Sequence, residues 1–371
     1  KYLVDELVGI KPHDRMSADV VINTLDEATE SSYRKAGGKA SYENEVSKQA
    51  VMNKIHTAEV NPPKLRYSEK RNLRILYIEA DEDHVAHQAK GKGGTRCLMP
   101  KLIYVHEGVD LSKSTAKRKV LKNVRYFGED CSSEDLWLQV AQYISEQYDE
   151  DKIETVYISG DGASWIKQGL QWIGKSRFVL DNHHLNKYIK IATAHLDDEA
   201  IYQGLRDALD WPDKEMVQRV FKRILELTGN ETKRTAVKDV RKYIMNNWEG
   251  IAIKAEKGHE IVGCSAEGHV SHVLSNRLSS RPKGWSKTGV NQMTKLLVYK
   301  KNGGNIYDLV MLQKEQERLK QQAKIQDELI RCMRRSGTRY ESSFHVDLPA
   351  IHVGHKTGLY HALRRLVGKC S

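Results

Sequence analysis

The segment ETVYISGDGASWIKQGL, residues 154–170, constrains the fold more than any other stretch. Its apolar run Val156-Tyr157-Ile158 has the content of a buried strand, stops at Ser159-Gly160, and sets one carboxylate, Asp161, between two glycines before an amphipathic segment begins. A buried strand that turns sharply into a helix is the unit of an α/β fold, and the carboxyl ends of its strands line the crevice where ligands bind. Gly-Asp-Gly is also ordinary turn chemistry, so Asp161 taken alone reads first as a turn former.

The flanking sequence extends this pattern. LRILYIEAD (73–81) reads as a buried strand, DHVAHQAK (83–90) alternates like a second, and GKGG (91–94) gives a flexible connection. LMPKLIYVHEG (98–108) and NVRYFGE (123–129) supply further strands. Ser132 and Asp135 resemble a capping box that opens a helix with Leu136, Val140, Tyr143, Ile144 and Tyr148 inward. SWIKQGLQWIG then reads as a helix and SRFVLDNHH as a strand. The order implies an α/β unit built on a mixed sheet.

From about residue 185 to 260 the character is all-helical. DKEMVQRVFKRILELTGN (213–230) places Met216, Val220, Ile224 and Leu227 on one stripe and stops at Gly229-Asn230. A helix follows near Ala266, then a basic region and a long charged helix over about 311–335. At the other end, Ser47 can cap a helix in SKQAVMNKIHT (47–57) with Val51, Ile55 and Ala58 on one face. That leaves Lys48, Gln49, Asn53 and Lys54 outward, as in a helix-turn-helix recognition helix, and NPPK (61–64) closes the segment.

Charge points to the partner. Residues 271–371 hold 19 Lys and Arg against 7 Asp and Glu, a surplus that exceeds the +11 of the whole chain. Such a local basic excess suits a polyphosphate, here DNA, with Arg281 and Lys283 beside Trp285 as candidate contacts and Trp285 as a candidate platform for an unpaired base, although packing is the commoner use of a lone Trp. A solvated helical face is the plainer reading of any one basic run. Cys97, Cys131, Cys264, Cys332 and Cys370 lack Cys-x-x-Cys spacing, which argues against a zinc ribbon or disulfide framework and for ordinary buried thiols. No apolar run is long enough for a membrane span, so a soluble, cytoplasmic, nucleoid-associated protein is expected.

Three acids stand on suitable elements. Asp81 closes the first strand, Asp161 closes a later one, and Glu267 falls in the first turn of a helix; Asp83 competes with Asp81 within the acidic run 81–83. Carboxylates brought together repel unless cations lie between them, and hard oxygen donors select Mg²⁺ or Mn²⁺. Two such ions would clamp both oxygens of a phosphodiester. LDNHHLNKYI (180–189) adds Asp181, His183 and His184 at a strand end, where neighbouring histidines point to opposite faces and cannot easily share a metal.

Together LYIEADEDHVAHQ, YISGDGASWIKQGL, FVLDNHHLNKYI and SAEGHVSHVLSNRLSSRPKGWS resemble the Lre-type family of bacterial insertion-sequence transposases, relatives of the Mutator-type transposases. The resemblance implies a ribonuclease H-like core interrupted by a helical insertion, with Asp81, Asp161 and Glu267 as catalytic metal ligands and two Mg²⁺ or Mn²⁺ ions. The family's Cys-x-x-His motif corresponds here to Asp181 and His184, which leaves the role of that pair open.

The expected layout is a helical DNA-binding region over 1–62, a catalytic core over 70–184 and 261–300, an insertion over 185–260 and a basic C-terminal region over 301–371. The expected activity is metal-dependent cleavage at transposon ends and strand transfer, carried out by at least a dimer. The alternative is a catalytically inactive DNA-binding protein derived from a transposase. A nucleotide-binding α/β enzyme is disfavoured because no Gly-rich phosphate loop is present.

Overall fold

The computed structural model describes residues 15–63, 69–88, 97–115, 118–129, 132–281 and 283–344, with four isolated positions beyond. The GKGG connection, Lys64 of NPPK, Cys131, Cys370 and most of the C-terminal tail lie outside the described residues. The chain forms two compact units, Lys1–Val310 and Met311–Ser371.

The first unit is organised by a five-stranded mixed sheet. Its strands are β1 (Ile75–Glu82), β4 (Lys101–His106), β5 (Arg125–Glu129), β6 (Thr155–Gly160) and β7 (Ser176–Leu180), in the order β5-β4-β1-β6-β7. β5, β4 and β1 pair antiparallel, whereas β1, β6 and β7 run parallel. The expected second strand is a correction: only β2 (Val85–Ala86) forms there, and it pairs with β3 (Cys97–Leu98) in a separate ribbon.

Strict alternation along β1 separates the sheet's faces. Leu76, Ile78 and Ala80 enter a large apolar core with Ile103, Val105, Val156 and Ile158. Helix α4 (Ser133–Gln147) covers that face. Its Ser132 cap accepts from the Asp135 amide at 3.1 Å, and Leu136, Trp137, Val140, Tyr143 and Ile144 point inward. The SWIKQGLQWIG segment forms two short helices, α5 (Ser164–Lys167) and α6 (Gly169–Trp172), rather than one.

The insertion comprises α7 (Asn182–Thr193), α8 (Glu199–Asp210), α9 (Lys214–Leu227), α10 (Glu231–Asn246) and α11 (Trp248–Lys257). On α9 the buried stripe is Val217, Phe221 and Ile224; Met216 and Leu227, expected inward, are 41% and 43% exposed. The true stripe follows i, i+4, i+7 from Val217, and Phe221 supplies the larger apolar surface.

N-terminal helices α1 (Ala18–Glu30), α2 (Tyr33–Lys39) and α3 (Lys48–His56) share a second core with α14 (Lys287–Lys301). Between the insertion and α14 come α12 (Ala266–Val270), a π-helical turn (Ser271–Ser275) and α13 (Asn276–Leu278). α15 (Ile306–Phe344) starts in the first unit and continues into the second, where Leu319, Ile325, Leu329 and Met333 are exposed. Among the described residues no helix is long and apolar enough to cross a membrane.

Candidate active site

Parallel pairing explains why three aspartates meet. Glu79 pairs with Ser159, and Gly160 pairs with Leu180. Continuing each register past the last paired residues sets Asp81, Asp161 and Asp181 level at the carboxyl ends of three adjacent strands. This is the edge where an open α/β sheet binds its ligands. Asp181 still holds the register, since its amide donates to the Gly160 carbonyl at 2.9 Å.

The glycines around Asp161 have separate causes. A Cβ on Gly160 would lie 2.7 Å from Ile166 Cδ1 and 2.9 Å from the Ala80 carbonyl, so the turn can approach β1 only without a side chain. Gly162 adopts φ +91°, a left-handed conformation, and an added Cβ would also collide with Asn247. Asp161 Oδ1 accepts from the Ala163 amide at 2.8 Å, and its carbonyl accepts from the Tyr243 hydroxyl at 2.5 Å. Asp161 is therefore a turn former as well as a cluster member.

Electrostatics record the convergence. Burial pushes the Asp81 carboxyl up to about 6; the charge of Asp161 adds to the rise, while the Glu82 amide and His184 oppose it. Glu82 is also raised, by burial and by Asp161. His184 is raised because Nδ1 donates to Asp181 Oδ2 at 2.9 Å, with further help from Asp161 and Asp81. Its ring is thus a basic group held among the aspartates.

His183 and His184 lie on a helix, which corrects the strand expected for them. Asp181 caps α7, accepting from the amides of His183 at 3.1 Å and His184 at 3.4 Å. That cap turns the chain, and the two rings part: His184 folds back onto Asp181, while His183 Nε2 meets Glu267 Oε2 at 3.0 Å. Glu267 stands in the first turn of α12, as expected, with a side chain 63% exposed, and its carboxylate contacts the His183 ring rather than the aspartates.

Asp83 takes a different path. It is 7% exposed and its Oδ1 accepts from Ser279 Oγ at 2.8 Å, so Asp81 rather than Asp83 is the acid shown interacting with Asp161. Of the two uses open to Trp285, the structure shows packing. At 5% exposed, it donates from Nε1 to the Leu278 carbonyl at 3.0 Å, and Arg277 lies over its ring. A ring packed in this way offers no face to a base. Lys283 is half-buried beside it, with Nζ donating to the Arg277 carbonyl at 3.3 Å, and Arg281 is exposed.

On α3, Ser47 accepts from the Ala50 amide at 3.2 Å. Val51 and Ile55 are buried, Lys48, Gln49 and Asn53 are exposed, and Lys54 is half-buried. Of the cysteines, Cys97, Cys264 and Cys332 are free thiols; Cys332 is exposed rather than buried.

Sequence reasoning missed Lys254 and Glu79. Lys254 Nζ donates to Asn182 Oδ1 at 2.6 Å and to the Leu180 carbonyl, and burial lowers its pKa to about 8. It lines a cavity of about 230 Å³ with Ser159, Val179, Asn182, Ile261 and Cys264, beside the aspartate edge. No local pattern marks a lysine in a helical insertion as part of a site that forms between strands. Glu79 alternates with Leu76, Ile78 and Ala80 inside an apolar run, and that polar position was the available signal.

As placed, no three His, Cys, Asp or Glu side chains among the described residues are grouped to hold one ion. The donor chemistry nevertheless fits a hard divalent cation: burial raises the Asp81 carboxyl, and the neighbouring charge of Asp161 raises it further. Glu267 could join them by exchanging His183 for the ion.

A family model described as "Uncharacterised protein family (UPF0236)" matches residues 1–315. The chain belongs to this family. Similar proteins include a UPF0236 protein of Caldanaerobacter subterraneus subsp. tengcongensis, 42% identical over 98% of this chain and 76% of the relative, whose name joins eleven locus labels. Another from the same organism, also 42% identical over the same shares, joins four. A UPF0236 protein in the vanSb 3′ region of Streptococcus gallolyticus is 30% identical over 69% of this chain and 55% of its own length.

Proposed function

We propose that this UPF0236 chain is a DNA transposase with a ribonuclease H-like core, cleaving DNA at transposon ends and joining them to target DNA. The observation that carries the reading is the alignment of Asp81, Asp161 and Asp181 at the carboxyl edge of three parallel strands, with Glu267 following an all-helical insertion and contacting His183 on the helix that Asp181 caps. Relatives whose names join eleven and four loci in one organism add support, because a replicating element leaves such copies.

Asp81, Asp161 and Glu267 would hold Mg²⁺ or Mn²⁺, which in a two-ion centre supplies an activated oxygen nucleophile and charge neutralisation at a phosphodiester. The chain's own groups do the remaining work. Asp181 fixes the first turn of α7 and the ring of His184; His183 holds Glu267. Lys254 offers positive charge to a phosphate at the cavity's edge. Lys48, Gln49, Asn53 and Lys54 on α3 would contact terminal repeats, and Arg281 and Lys283 the phosphate backbone. At least two copies would hold the paired ends, and the DNA substrate places the protein at the cytoplasmic nucleoid.

The His183–Glu267 contact favours one second reading, a catalytically inactive DNA-binding derivative in which that acid stays engaged. Nicking of supercoiled DNA carrying the element's ends separates the two. The transposase reading expects Mg²⁺-dependent nicks that disappear in Asp161→Asn while DNA binding survives. DNA binding by the native chain without any cleavage would overturn it.

A further inference from the structure

Glu79 is 1% exposed and lies two residues before Asp81 on β1. Its Oε2 accepts from the Ser265 amide at 2.5 Å, from Ser265 Oγ at 3.2 Å and from the Tyr104 hydroxyl. Its Oε1 faces His106 Nε2 at 3.0 Å. The tautomer follows from geometry: the Gly108 amide donates to His106 Nδ1 at 3.1 Å, so Nε2 carries the proton and donates to Glu79.

Ser265 lies two residues before Glu267 at the start of α12. Two residues after Glu267, His269 stacks on Tyr104 with centroids 4.3 Å apart, and its Nδ1 meets the Tyr126 hydroxyl at 2.8 Å. The short helix is therefore gripped on both sides of Glu267, and both grips run through groups around Glu79. A buried carboxylate is not needed to stabilise a sheet, since an apolar residue of similar size does so at lower cost. A fully bonded one fixes a single arrangement of its donors.

We propose that Glu79 is a positioning residue, a buried carboxylate that locks the turn bearing Glu267 against the strand bearing Asp81. The lock itself is independent of the reaction; its effect on catalysis rests on the transposase reading. Glutamine cannot replace it. Its amide would turn an N–H either onto the proton of His106 Nε2 or onto the Ser265 and Tyr104 donors.

The test uses the full chain and two readouts. Hydrogen exchange at the amides of residues 266–270 should accelerate at least about 10-fold in Glu79→Gln, with those of α4 unchanged, as expected for local opening. Unchanged exchange there, or equal acceleration throughout the molecule, overturns the proposal. Titration with Mn²⁺ alone as probe should show Glu79→Gln binding roughly 10- to 100-fold more weakly, as for partners that orient metal ligands. In a Glu267→Gln background the same change should cost nothing further; an equal loss in both backgrounds overturns the link to Glu267. If Glu79→Gln does not fold, Ser265→Ala, which removes the hydroxyl that contacts Glu79 and Tyr104 but keeps the backbone amide bond, takes its place with the same outcomes at smaller amplitude. A native chain that neither binds Mn²⁺ nor nicks DNA removes the transposase reading, while the exchange measurement still decides the lock.

Discussion

The two faces of the central sheet use the same strands for opposite ends. Toward α4, β1 presents Leu76, Ile78 and Ala80 to a continuous apolar core. Toward α12, its intervening residues Tyr77, Glu79 and Asp81 meet Tyr104, His106, Ser265 and Asp161 through hydrogen bonds and charge. The first face is non-directional and stabilises the fold in proportion to the area it removes from water. The second is directional and fixes where a few atoms stand. One strand with strict alternation carries both because a one-residue slip would exchange them.

The sharpest way to break this comparison is to empty the apolar face. Trp137 is fully buried and donates to the Trp165 carbonyl at 2.8 Å; Trp137→Ala should cost about 3–5 kcal/mol, read by urea unfolding. A loss below about 1 kcal/mol would show that this face is not the main source of stability.

The polar face should respond to pH instead. In metal-free protein the Asp81 carboxyl, raised to about 6, holds more protons folded than unfolded. Its contribution is therefore fully present below the unfolded value of about 4 and lost as pH rises through about 6, a change of at most about 3 kcal/mol. The difference between native and Asp81→Asn melting curves in chelator should show this fall over that window. A difference that stays flat would mean that Asp81 is not held as described.

Smaller effects sharpen the boundary between the faces. Tyr243→Phe removes the bond to the Asp161 carbonyl and should cost about 1 kcal/mol in unfolding, with a larger fractional loss of nicking. An equal loss of both would reduce Tyr243 to a structural role. Lys48→Ala with Lys54→Ala, on a helix outside both faces, should change stability by less than about 0.5 kcal/mol but lower the salt dependence of DNA binding by about two charges. An unchanged salt slope would remove α3 from the proposed DNA interface.

Much of the apolar face was legible in sequence, and less of the polar one. The runs at 75–80, 101–106 and 155–160 announce strands because burial on both sides selects Leu, Ile, Val and Tyr. Asp161 stood out for its glycines, and Glu267 for its place in a helical first turn. Asp181 was visible only as an accessory because strand register, which levels it with Asp161, is a long-range property. The histidines were assigned to a strand because Asp181's capping role depends on where β7 stops. The basic neighbours of Trp285 suggest a base platform as well as packing, and only the Leu278 carbonyl and Tyr33 ring that enclose it, which come from packing, decide between the two.

The insertion is tied to the site at two points. α7 opens on the Asp181 cap, and the far end of α10 reaches the Asp161 turn through Tyr243 and Asn247. For protein engineering this makes the 182–257 segment a buttress with a free middle. Removing it, or exchanging it for another helical bundle, would unseat Asp161 and Asp181 together. The tip between α9 and α10 is different, since Gly229 is exposed and a side chain there would touch nothing within 4 Å. A reporter spliced at that tip would ride on the molecule without entering its chemistry.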